Sequence, residues 1–149
     1  MNMAHLHLIL NHFPLIFSVA ALVLWLAAKI FKSDGYRKSA LLLCVLTGVL
    51  AGPAYLTGGE AEEQVENLPG YSQSQIHEHE EAGEKALISS IVLSLVAAGA
   101  IWRERKGNPP AWVYWAPFVV LLITIASHGY AANLGGMIKH DEVRKEAGA

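Results

Sequence analysis

The sequence predicts an all-α fold: an integral membrane bundle of four helices running up and down, with a short extracytoplasmic helix or loop between the second and third. Three observations predict it. Of 149 residues, 53% are hydrophobic and the mean hydropathy is +0.33, too apolar for an ordinary soluble domain. Four apolar runs stand out, at 6–31, 40–56, 86–102 and 112–132; a helix needs roughly 17 to 25 residues to cross a bilayer. Basic residues crowd the first and third connections: Lys29, Lys32, Arg37 and Lys38, then Arg103, Arg105 and Lys106, opposed there only by Asp34 and Glu104.

The first span, roughly 5–32, opens with His5, His7 and His12. It lacks a basic leading region and a small-residue cleavage site, so it reads as a span and not as a cleavable signal. Pro14 removes a backbone donor inside it, as Pro53 and Pro117 do in later spans, and each favours a kink. Asp34-Gly35 marks the first turn. The second span, roughly 37–57, holds Cys44, the one cysteine of the chain. An intrachain disulfide is therefore excluded, as are the paired cysteines of c-type haem attachment and iron–sulfur ligation.

Next comes an acidic segment. Eight of the thirteen acids lie between residues 60 and 84, around Gly58-Gly59 and Leu68-Pro69-Gly70. A short amphipathic helix is expected around 60–67. The third helix, spanning roughly 76–103, is expected to begin in water near Gln73. Gly107-Asn108-Pro109-Pro110 forms the third turn, and prolines suit the entry to the fourth span, roughly 111–136. No internal repeat is evident. The positive-inside rule makes the basic connections cytoplasmic, with both termini and the 58–76 loop on the other side.

All seven histidines fall at the edge away from those basic connections: His5, His7 and His12, then His77 and His79, then His128 and His140. Imidazole is costly in lipid and is the commonest metal ligand. At about 1.5 Å per residue, His12 lies about 28 Å and His128 about 25 Å above the basic edge. These two sit just within the outer edge of the core, whereas His7, His77 and His79 reach the headgroup layer and His5 and His140 lie above it. His77 and His79 are two apart, so only one points inward; the deeper His79 is favoured. His12 and His128 are the deepest, and His12 ranks first as a ligand, although a bond to a carbonyl freed by Pro14 would also explain it.

Histidines from three helices suit a b-type haem, which takes two axial ligands from opposing helices in an apolar slot. Small residues accompany them: Gly48 and Gly52, Ala82 and Gly83, Gly129, Ala131 and Ala132. They leave room for a macrocycle or serve close helix packing. Lys85, Lys139 and Arg144 could pair with haem propionates, although Lys85 could equally bond to Glu81, four residues earlier.

The stretch His7-Leu-Ile-Leu-Asn-His12-Phe-Pro14 resembles the opening motif of an uncharacterised four-span bacterial membrane family known as domain of unknown function 2231. The end, Leu134-Gly-Gly-Met-Ile-Lys-His140, together with Thr57-Gly58-Gly59 and His79, fits the same outline. The resemblance covers most of the chain. It implies a cytochrome b-like, redox-linked role in the bacterial cytoplasmic (inner) membrane, carried by His7, His12, His79 and His140. His128 lies outside that pattern, and Leu8 stands where the family usually has proline.

The function expected from these features is a membrane b-type cytochrome with one or two haems near the extracytoplasmic face. It would transfer electrons between membrane and extracytoplasmic partners. The ligand candidates are His12, His79, His7, His128 and His140. The acidic segment could dock a c-type cytochrome or other basic carrier by electrostatic steering. A quinone and a larger membrane redox complex are further candidate partners; a nucleic acid is not expected. Two other readings stand beside it. One is a zinc- or copper-handling membrane protein, argued from His77-Glu-His79-Glu-Glu. The other is an accessory subunit without chemistry of its own. The sequence has no nucleophile–base pair, phosphate loop or dinucleotide fingerprint to suggest a hydrolase, kinase or nicotinamide enzyme.

Overall fold

A computed structural model describes residues 3–65 and 71–139. Five α-helices follow in order: α1 (Met3–Leu10), α2 (His12–Ile30), α3 (Asp34–Val65), α4 (Gln73–Arg105) and α5 (Trp112–Lys139). Helix takes 91% of the described residues, and the fold is all-α. α1 and α2 act as one rod. The interruption at Asn11 sits just before Pro14, whose missing N–H leaves the Leu10 carbonyl unserved. Asn11 keeps helical angles (φ −63°, ψ −21°), so the rod is interrupted but scarcely bent there. Four helical rods, Met3–Ile30, Asp34–Gln64, Gln73–Arg105 and Trp112–Ile138, are long and apolar enough to cross a membrane.

Each turn has a local cause. α2 ends where Lys32 takes a left-handed conformation (φ 50°) and Ser33 N–H bonds back to the Ala28 carbonyl at 3.0 Å, a Schellman-type ending. Lys32, not Gly35, therefore carries the reversal. α4 ends at Gly107 (φ 77°) and Asn108 (φ 44°), and Arg103 donates to the Gly107 carbonyl. α4 begins at Gln73, as the sequence suggested. The acidic segment differs from expectation. There is no separate helix at 60–65, because α3 runs through Gly58-Gly59 to Val65. Ala, Glu and Gln at 61–64 are good helix formers and carry the helix past the glycines; residues 66–70 lie outside the described set.

The core is built from small and medium side chains. Ala21, Leu41, Cys44, Leu93, Ala97, Ala100, Val113 and Leu121 form its main cluster, and Ala82, Ala86, Ala131 and Leu134 a second one nearer the acidic end. Buried hydroxyls return to their own helices. Thr47 donates to Leu43, Ser90 to Ala86 and Thr124 to Val120, which satisfies them locally; Thr124 also reaches the Ser89 carbonyl across to α4 at 3.2 Å. α3 and α4 come closest at Gly48. A Cβ there would collide with the Ser94 side chain and the Ser90 carbonyl, and Ser94 also donates to the Val45 carbonyl at 3.1 Å.

The structure contains a correspondence that the sequence does not advertise. His7 and Ser18 in the first rod match His79 and Ser90 in α4, each 72 residues on. Thr47, Ala54 and Gly58 in α3 match Thr124, Ala131 and Gly135 in α5, each 77 residues on. Ser18, Thr47, Ser90 and Thr124 are all fully buried. Two helical hairpins thus carry matched positions, with the extra length taken up in the third turn. Two matched pairs also touch: Arg37 lies 4.8 Å from the Tyr114 ring, and the His7 and His79 rings meet at the other end.

Gly48→Ala is expected to lose about 1–3 kcal/mol of stability through overpacking, read from unfolding in a denaturing detergent titration. Gly52→Ala is the control, because a Cβ there meets nothing within 4 Å.

Candidate functional site

His7 and His79 approach at the acidic end with ring centroids 6.4 Å apart and planes at 75°. Each is held the same way. The His7 Nδ1–H donates to the Ala54 carbonyl at 2.9 Å, and the His79 Nδ1–H donates to the Ala131 carbonyl at 2.9 Å. Because a carbonyl only accepts, both rings carry their proton on Nδ1, and both Nε2 atoms present a lone pair. That is the arrangement in which a metal-ligating histidine is oriented by a partner behind it.

The glycine-rich stretches explain how the rings reach those carbonyls. Gly58 follows Ala54 by one helical turn, and Gly135 follows Ala131 by one turn. A Cβ at Gly58 would sit 3.2 Å from His7 Cε1, and one at Gly135 only 2.9 Å from His79 Cε1. Each ring therefore brings its Nδ1–Cε1 edge against a helix backbone that glycine leaves bare. Two buried acceptors without a partner among the described residues flank the pair: Asn11 Oδ1 and Gln75 Oε1. They lie one turn after His7 and one turn before His79. A buried unmet acceptor costs about 1–3 kcal/mol, which marks this end as a place where a bound molecule or an ordered water donates.

The other candidates are placed elsewhere. His12 is exposed, and its Nδ1 is bonded to the Leu8 carbonyl of its own rod at 2.7 Å; the fold does not bring it to another histidine. Its neighbours Leu8, Ile9, Phe13 and Ile16 are exposed apolar residues. His128 has its Nε2 2.8 Å from Ser90 Oγ, and Ser90 is also tied to Ala86 at 2.7 Å, so this imidazole is engaged within the bundle. His77 is exposed and sits 3.7 Å and 3.5 Å from Glu80 and Glu81. Lys85 lies 3.5 Å from Glu81, the helical pair that was its alternative. His5 is exposed. Lys139 closes α5, while His140 and Arg144 lie outside the described residues.

Among the described residues no group of three or more His, Cys, Asp or Glu side chains is gathered to hold a metal ion. The run from His77 to Glu81 does not assemble into such a site, because its side chains fan around an exposed helix end. The chain matches no family model, no curated protein and no solved structure.

Gly135→Ala is expected to push the His79 ring off the Ala131 carbonyl, read as loss of its protected Nδ1–H signal in nitrogen-15 NMR. Gly136→Ala should leave that signal in place, since a Cβ there meets nothing within 4 Å.

Proposed function

We propose that this chain is a membrane b-type cytochrome whose haem is held between His7 and His79, and that it passes electrons between membrane and extracytoplasmic partners. The observation that carries the reading is the meeting of two imidazoles from opposite hairpins, each with Nδ1–H spent on a carbonyl and Nε2 free. Haem iron asks the protein for two axial ligands, since the macrocycle supplies the rest. Zinc asks for three or four, which two histidines do not meet, so the metal-handling reading loses ground. His7 and His79, whose ring centroids lie 6.4 Å apart, would be the residues that hold the iron.

When bound, the haem would supply one-electron transfer. Two axial histidines leave no open position for substrate, which favours electron transfer over catalysis. The residues of the chain would do the rest. The Ala54 and Ala131 carbonyls would hold the rings in register and raise their basicity. Ala82, Ala86, Ala131 and Leu134 would keep water from the site's inner side. Charge bias orients the chain in a bacterial inner membrane with the basic turns cytoplasmic and the histidine end outside. Exposed Glu60, Glu63, Glu78, Glu80, Glu81 and Glu84 would then face a basic carrier such as a c-type cytochrome. A membrane quinol or a larger redox complex would supply the other partner.

The reduced-minus-oxidised spectrum of the purified chain tests this. A b-type α-band is expected, with one haem per chain by pyridine assay. His7→Ala and His79→Ala should each lose most of the haem, while His12→Ala and His77→Ala keep it. Absence of haem from the wild-type chain purified from native membranes would sink the reading.

A further inference from the structure

A groove of about 430 Å³ opens between α3 and α4 at the basic end, lined by Lys38, Leu42, Ile101, Glu104 and Arg105. The charges around it are unevenly answered. Arg37 donates to Glu104 at 2.9 Å and to Asp34 at 2.7 Å. The Glu104 carboxylate, 9% exposed, is therefore already neutralised from behind. Lys29 lies over Trp115 and Lys106 over Trp102, and Arg103 caps α4. Among the described residues, the basic side chains of this end left with no hydrogen bond, ion pair or ring contact are Lys32, Lys38 and Arg105. Two of these three flank the same groove.

The floor between them is apolar. Leu42 is 54% exposed, and Ile101 lies beside it. Two unanswered cations above an open hydrocarbon floor select an amphiphile with an anionic head, not a free anion, which would gain nothing from the floor. We propose that this groove binds one anionic phospholipid, with its phosphate between Lys38 and Arg105 and its upper acyl chain along Leu42 and Ile101. The proposal rests on the chain being embedded in a membrane and is independent of haem.

Native mass spectrometry of the detergent-solubilised full chain, with added dioleoyl phosphatidylglycerol or phosphatidylcholine, tests it. The wild type is expected to retain one phosphatidylglycerol in preference to phosphatidylcholine. The double variant Lys38→Gln, Arg105→Gln should hold it roughly thirtyfold more weakly, two interfacial cations being lost. Lys32→Gln, which removes an unpartnered cation away from the groove, should hold it as the wild type does. Millimolar inorganic phosphate should fail to displace the lipid. The proposal is overturned if the wild type retains both lipids alike, if Lys32→Gln loses as much as the double variant, or if phosphate competes. Neither replaced side chain has a partner among the described residues, so circular dichroism should report unchanged helix content in the double variant. The b-type absorbance of the same samples reports on the haem reading separately.

Discussion

Every carbonyl inside a helix already accepts the N–H four residues ahead, and the side chain at that residue leans back over it. Where that residue is glycine, a group as bulky as an imidazole can approach the carbonyl from outside. This constraint governs the acidic end of the bundle. Gly58 uncovers the Ala54 carbonyl and Gly135 uncovers that of Ala131, and an imidazole fills each gap. From the two bonds follow the ring tautomers, the direction left open for Nε2, and the close packing of the first and second rods in each hairpin. The same economy of side chain recurs at Gly48, where α3 meets α4 on the backbone of Ser90.

Matched positions in the two hairpins give the two rings like settings, yet the halves are not copies. Ala51, buried on α3, occupies the position matched by His128 on α5. The second hairpin thus carries an imidazole–hydroxyl bond, His128 to Ser90, that the first lacks. Conversely, the interruption at Asn11 has no equivalent in α4, where Gly83 stands within continuous helix. These departures give the shared site two different surroundings, one on each side.

The four long apolar helices, the turn at 106–111 and the start of α4 at Gln73 were legible in the sequence, because apolar run length and glycine–proline punctuation act locally; the first reversal falls on Lys32 and not on Asp34-Gly35. So was the inward choice of His79 over His77, since two residues apart means opposite faces. The rest needed the third dimension. Helix rise gives height and not azimuth, so His12 stood among the two deepest histidines although the rod turns it outward and gives it its own Leu8 carbonyl. The Ser90 hydroxyl that meets His128 comes from a different helix, a pairing that residue spacing does not reveal. The pairing of His7 with His79 had a signal in the sequence. Alanine followed four residues later by glycine occurs at 54–58 and 131–135 with buried threonines seven residues before. That pattern becomes readable once the glycine is understood as the uncovering of a carbonyl. α3 ran past its expected end because a glycine pair is a weak stop when good helix formers follow.

Arg37 joins Asp34, Glu104 and Tyr114 at the basic end, and the two imidazoles sit at the other end of the bundle. From Arg37 to Gly58 is about 32 Å of helix. Contacts between matched positions thus close both ends of the bundle, one through a guanidinium and the other through a pair of rings.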